Sequence, residues 1–226
     1  MDARTFIVRG FGVLTNLRRA HNPIQRTVMA LANRLGALVL IGLFSPVMLV
    51  SAGLIWRRDG APIFFGHYRV GRDGRLFRCL KFRTMVRDAP ARLERLLRDD
   101  PQARAEWERD QKLTNDPRIT PIGQFLRRTS LDELPQLFNV LRGDMALVGP
   151  RPITVPELER YGDSRWHYLS GLPGMTGLWQ VSGRNDTSYD ERVALDRRYV
   201  EQHGVADDLR ILWRTVSVVL ARDGAR

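Results

Sequence analysis

The chain's hydrophobic pattern is dominated by one stretch, LGALVLIGLFSPVMLVSAGLIW, which runs from Leu35 to Trp56 for 22 residues without a charge. That length and composition predict a membrane-inserted helix. The run lies 34 residues into the chain and exceeds the roughly 7–15 apolar residues of a cleavable leader, so it reads as a retained element. Pro46 sits mid-run, cannot donate to the carbonyl of Gly42, and crowds that carbonyl with its ring, while the Ser45 hydroxyl is placed to bond the freed oxygen. A break at Ser45-Pro46 is therefore expected. The C-terminal end shows a weaker pattern: Leu209, Leu212, Trp213, Val216, Val219 and Leu220 share a helical face opposite Arg210, Arg214 and Ser217. That arrangement suits a helix lying in a membrane interface or one facing a protein core.

Between these ends, IFFGHYRVGRDGRLFRCLKFRTM carries aromatic and β-branched residues around a Gly-rich turn at Gly71 to Gly74, which predicts a hairpin. ARLERLLRDDPQARAEWERDQK places Leu93, Leu96, Leu97 and Trp107 at helical spacing among charges, which predicts exposed helices broken near Pro101. No repeat, low-complexity tract or long linker divides the chain. The organisation expected is a basic segment over 1–34, the membrane element over 35–56, and one cytoplasmic domain over 57–226 ending in the amphipathic helix.

Charge sharpens the membrane reading. The net charge of +11 suits an anionic partner: nucleic acid, a membrane surface or a phosphorylated substrate. Six arginines and one acid precede Leu35, and eight basic residues against two acids lie between Arg57 and Arg83. Both flanks thus carry a cytoplasmic signature. A helix that enters, breaks and returns to the same leaflet satisfies both flanks, whereas a Pro-kinked single span exports one of them; the residue pattern leaves both open. A lone Cys79 rules out an intramolecular disulfide, and the scattered His21, His67, His167 and His203 lack zinc-site spacing. The glycine-rich signatures of dinucleotide-binding and P-loop enzymes are missing.

The chemistry-bearing stretch is TSLDELPQL, Thr129 to Leu137. Ser130 and Glu133 spell an S-x-x-E capping box, a structural role that needs no chemistry. Pro135 demands a helix start near Asp132, so a pair of carboxylates, Asp132 and Glu133, would stand at a helix end that attracts anions. Arg127, Arg128, Arg142 and Arg151 are of the type that offsets repulsion between a carboxylate and a phosphate. Cap and catalytic pair are compatible roles. In VGPRP, Arg151 lies between two prolines and is biased toward an extended backbone that presents its guanidinium. The segment LPGMTGLWQVSGRND is Gly-rich, with Trp179 and Arg184, and could hold a base or sugar.

In this order, SP inside a hydrophobic hairpin, KFRTM, TSLDELPQLFNVLRGDM, VGPRP and PGMTGLWQVSGRND resemble the bacterial sugar transferases, the monotopic polyprenyl-phosphate phosphoglycosyl transferases. The likeness runs from about Leu35 to the C-terminus. It implies an α/β fold, a mainly helical small catalytic domain with a re-entrant membrane helix and interfacial amphipathic helices, at the cytoplasmic face of the bacterial inner membrane. By the same resemblance Asp132 is the nucleophile, Glu133 helps bind Mg²⁺, and Lys81, Arg83, Arg127 and Arg151 contact phosphates or the nucleotide. The glycines and Trp179 of the last motif would shape the nucleotide-sugar pocket. The charged insert from Asp88 to Arg118 and the GLWQ spelling resemble the hexose-1-phosphate branch that starts exopolysaccharide or O-antigen assembly. The implied partners are a UDP-sugar (UDP-galactose or UDP-glucose), undecaprenyl phosphate and membrane lipids, with no nucleic acid; a homo-oligomer is compatible with the pattern. His67 stands where many relatives carry glutamine. Two other classes remain to be set against transfer: a membrane-anchored scaffold without chemistry, and a phosphatase working through an aspartyl phosphate.

Overall fold

The computed structural model describes residues 23–110, 112–183 and 187–221. The first helix, α1, spans Pro23–Asp59. It begins well before Leu35 and runs through Pro46 without interruption, so the expected helix-break-helix is corrected to one continuous helix. The physical reason is the bond expected at the bend: Ser45 Oγ donates to the Gly42 carbonyl at 2.8 Å, replacing the N–H that Pro46 lacks. One stripe of α1 is buried. Ala37, Leu40 and Ile41 pack on Phe77, Leu137, Val140 and Met145, and Phe44, Met48, Ala52 and Ile55 pack on Phe82, Leu126 and Phe138. The remaining faces expose Leu35, Leu38, Val39, Leu43, Leu49, Val50, Leu54 and Trp56. A water-soluble monomer rarely leaves so long an apolar surface bare.

The predicted hairpin forms as β1 (Phe64–Val70) and β2 (Leu76–Phe82), antiparallel, with Phe65 opposite Lys81, His67 opposite Cys79 and Arg69 opposite Phe77. The charged insert is two helices, α2 (Ala89–Asp99) and α3 (Pro101–Asp110), separated at Pro101 as the pattern requires. Helix α4 (Pro121–Arg128) is capped by the Thr120 hydroxyl, which accepts from the Gly123 N–H. A 3-10 turn at Leu131–Glu133 leads into α5 (Gln136–Arg142), which ends on Gly143 in the left-handed region at φ 86°. The short strand β3 (Ala146–Val148) precedes α6 (Val155–Glu159) and α7 (Arg165–Ser170), and β4 (Gly174–Thr176) returns parallel to β3. Helices α8 (Tyr189–Gln202) and α9 (Val205–Ala221) close the described chain.

The outcome is mainly helical with two small sheets. Helix α9 takes the core-facing role through one face and leaves another face bare. Ile211 is buried against Val148 and Tyr199, while Leu209, Trp213 and Val216 remain more than half exposed. Most of the basic N-terminal segment, and Arg184, fall outside the described residues.

Candidate active site

Two buried fixtures set the site. Asn139 on α5 is fully buried; its Nδ2 donates to the Arg78 carbonyl at 2.8 Å and its Oδ1 accepts from the Leu80 N–H at 2.9 Å. This two-point bond locks α5 to β2 one residue from Lys81. Pro135 supplies no N–H, so the chain ahead of α5 tightens into the 3-10 turn. Ser130 takes a left-handed backbone there at φ 56°. Its side chain caps nothing, and Glu133 turns away from it. The expected Ser130–Glu133 capping box is thus not formed, because Glu133 is held elsewhere: Lys81 Nζ lies 2.6 Å from Glu133 Oε1 and 3.8 Å from Asp132 Oδ2.

Asp132 is 7% exposed. Burial pushes its carboxyl up to about 6; Lys81 draws it down, Glu133 raises it further and Arg127 lowers it. A carboxylate so placed is ionised at neutral pH, poorly solvated and free of a close hydrogen-bonded cation, which are the attributes of a nucleophile. Arg127 stands behind it, oriented by an Nε–H bond to Thr84 Oγ1 at 2.9 Å.

Lys81, Glu133 and Gln136 line a small cleft together with Arg69, Arg151 and Gln180, and with Cys79 and Met175. Arg151 reaches it because two motifs are zipped together. The Gly149 N–H donates to the Thr176 carbonyl and the Gly174 N–H to the Pro150 carbonyl, each at 2.8 Å. A Cβ on Gly174 would lie 2.1 Å from the Gly149 nitrogen, so the PGMTG glycines serve this close approach of VGPRP. Among the described residues, the Arg151 side chain has one directed contact, its guanidinium 5.6 Å from the centre of the Trp179 ring.

The predicted residues therefore separate. Lys81, Asp132, Glu133, Arg127 and Arg151 converge. Arg83 does not: it is buried, and its Nη2 donates to the carbonyls of Asp59 and Gly60 at 2.8 and 2.7 Å, capping the C-terminal end of α1. Its Nη2 takes up a structural contact, because helix-end carbonyls lack partners and lie within reach, while its Nε and Nη1 are buried without an acceptor among the described residues. Arg69, which sequence reasoning passed over, joins the cleft. Hairpin parity could have found it, since the register puts Arg69, Cys79 and Lys81 on one face. His67 shares that face farther out, exposed beside Phe65, with burial and Arg69 holding it below the ordinary imidazole value.

The donor set suits Mg²⁺ as a substrate-assisted site. Among the described residues no three His, Cys, Asp or Glu side chains gather into a metal cage. Magnesium is commonly held by one or two carboxylates, with waters and substrate phosphate oxygens completing the octahedron. Glu133 could offer one such carboxylate.

With this geometry in hand, comparison with known proteins is decisive. The description of the bacterial sugar transferase family matches residues 24–222. The chain belongs to the bacterial sugar transferase family. It is 58% identical over 190 residues to a UDP-galactose-lipid carrier transferase of Erwinia amylovora, covering 84% of this chain and 40% of that protein. It is 57% identical over 192 residues to an undecaprenyl-phosphate galactose phosphotransferase of Salmonella typhimurium, again covering 84% and 40%. With the exopolysaccharide production protein ExoY of Rhizobium meliloti it shares 48% identity over 191 residues, 84% of each. This sugar transferase chain thus spans about two fifths of the length of the first two relatives and most of the third.

Proposed function

We propose that the chain is a phosphoglycosyl transferase that moves a hexose-1-phosphate from a UDP-hexose, UDP-galactose or UDP-glucose, to undecaprenyl phosphate, the opening step of exopolysaccharide or related glycan assembly. The observation that carries the reading is the buried Asp132 carboxyl beside Lys81, which with Glu133, Arg69 and Arg151 lines a cleft. An Asp132 oxygen attacks the phosphorus that bears the sugar, the bond from that phosphorus to the bridging oxygen breaks, and UMP leaves with the bond's electrons. A phosphate oxygen of the lipid acceptor then attacks the same phosphorus, releasing lipid diphosphosugar and restoring the carboxylate. Two bulky phosphates thereby use one site in turn. Lys81 and the arginines offset the charge that gathers on the phosphoryl oxygens. Glu133 would help hold Mg²⁺, which supplies further neutralisation of the diphosphate when bound.

The membrane arrangement belongs to the same proposal. The N-terminal part of α1 is tied to the body where Asn33 Oδ1 accepts from the Leu147 N–H at 2.6 Å, and its C-terminal end is tied through Arg83. A helix joined to one polar body at both ends, and packed on it at each turn between, cannot carry one end across about 30 Å of hydrocarbon. This supports a monotopic placement in the cytoplasmic leaflet, with the Leu209–Trp213–Val216 face of α9 in the interface. Purified chain given UDP-hexose, Mg²⁺ and undecaprenyl phosphate should release UMP at a rate that depends on the lipid. UMP release without lipid dependence, or none with any UDP-hexose, contradicts the reading.

A further inference from the structure

Behind the cleft lies a charged residue with no place in the chemistry above. Arg192, on α8, is 8% exposed. Burying a guanidinium is costly unless counter-charge surrounds it, and its surroundings point toward the cleft. Arg192 Nη1 is 3.6 Å from Glu157 Oε1. The other oxygen of that carboxylate, Oε2, accepts from Arg69 Nη1 at 3.1 Å and from the Thr154 N–H and hydroxyl, each at 2.8 Å. Glu157 therefore divides its charge between Arg192 and a cation of the cleft. Burial pushes the Glu157 carboxyl up, but the Thr154 donors, Arg192 and Arg69 together hold it below the ordinary glutamate value.

A second link runs through an aromatic ring. The Arg192 guanidinium lies 4.7 Å from the centre of Trp179, the ring that also carries Arg151 at 5.6 Å. Trp179 is itself buried and donates its indole N–H to Thr187 Oγ1 at 2.7 Å. Tyr189 meets the Arg192 guanidinium at 5.4 Å. On its own helix Arg192 faces Asp196, buried and bonded to the Tyr161 hydroxyl at 2.7 Å. The Nε and Nη2 groups of Arg192 have no hydrogen-bond acceptor among the described residues, so contacts to Glu157 and the two rings, rather than a hydrogen-bonded cap, hold it in place.

We infer that Arg192 is a positioning residue for the donor's diphosphate: it touches no substrate but aligns Arg69 through Glu157 and Arg151 through Trp179. Without it, Glu157 would be left with Arg69 as its main cation and would draw that guanidinium toward itself. Trp179 would lose its second guanidinium, loosening the ring that holds Arg151. The inference rests on the reading of the cleft as a nucleoside diphosphate-sugar site.

The test measures uridine diphosphate binding, with Mg²⁺, to the purified full chain and its variants, alongside thermal melting. Arg192→Gln is expected to weaken binding about tenfold, and Arg192→Lys, which keeps the charge but loses the flat guanidinium, about threefold. In an Arg69→Gln background the same Arg192→Gln change should cost only about threefold, because one of the two links it serves is already gone and the Trp179 link remains. Tyr161→Phe, which alters the same helix through Asp196, should leave affinity unchanged. Wild-type affinity in Arg192→Gln, or penalties that simply multiply in the double variant, would overturn the inference. Should Arg192→Gln fail to fold, Arg192→Lys decides: reduced affinity with unchanged melting supports the proposal, and wild-type affinity ends it. If the wild-type chain binds no uridine diphosphate, the reading of the cleft falls and the role of Arg192 with it.

Discussion

Two arginines from neighbouring motifs meet opposite fates. Arg83, one residue beyond the end of β2, gives its Nη2 donors to the Asp59 and Gly60 carbonyls, at and just past the end of α1. Arg151, between two prolines, gives the protein no hydrogen bond among the described residues and rests on Trp179 over the cleft. A guanidinium with one nitrogen committed to backbone carbonyls stabilises a junction, whereas one held by a ring face keeps all its donors for a ligand. The same short stretch serves both regions, since Lys81 faces the carboxylates and Arg83 faces the end of α1. The junction and the cleft should therefore respond oppositely to mutation.

The largest contrast is expected at Asp132. Asp132→Asn should lower turnover by at least about 10³-fold, the order seen when a catalytic group is removed. Its fold should gain, since burial raises this carboxyl's pKa from 3.8 to about 6 and the ionised form therefore costs stability at neutral pH. The sign is that of an acid easier to protonate when folded: stability from this group is greatest below about pH 4 and declines as pH rises through 6. Asparagine removes that cost, worth about 3 kcal/mol at 1.36 kcal/mol per pKa unit, and denaturant melts at pH 7 would read it. Lost stability together with retained turnover would assign Asp132 to the junction's class.

Arg83→Ala should do the reverse. It strips the Asp59 and Gly60 carbonyls, at and just past the end of α1, of a buried, charged donor, an expected loss of roughly 2–4 kcal/mol in unfolding. Donor KM in the folded fraction should stay within about twofold of wild type. A KM rise without loss of stability would return Arg83 to the phosphates.

The contrast also marks what the sequence made legible. The hairpin, the helix break at Pro101 and the Ser45 bond to Gly42 are local, and local pattern predicted them. The destination of Arg83 depends on where the end of α1 lies, which only tertiary packing decides. The capping box failed for a related reason: Ser130 and Glu133 have the right spacing, but Lys81, more than fifty residues earlier in the chain, provides Glu133 a charged partner at 2.6 Å. Asn139 looked like one polar residue in LFNVL; its bonds to β2 emerge only once the hairpin is docked. Asp132 and Arg151 were legible because their motifs carry their own backbone constraints, Pro135 and the two prolines around Arg151.

Smaller effects refine the cleft. Arg151→Lys keeps charge but loses the planar fork and the flat contact with Trp179, and kcat/KM should fall roughly 10–30-fold at saturating Mg²⁺ with melting unchanged. Near-normal kinetics would make Arg151 a solvated turn residue. Wild-type kcat/KM should drop about tenfold between pH 7 and pH 5 as Asp132 protonates, provided the chemical step limits the rate. A flat profile over that range would separate the rate from the state of this carboxyl.

The central claim is that Asp132 forms a bond to the sugar's phosphate. Wild-type chain incubated with UDP-hexose and Mg²⁺ but no lipid acceptor, then quenched in acid and digested, should carry one hexose-phosphate on the peptide containing Asp132, and the mass should vanish when undecaprenyl phosphate is added before quenching. An unmodified Asp132 peptide from chain that transfers hexose-phosphate to lipid at full rate would contradict the account.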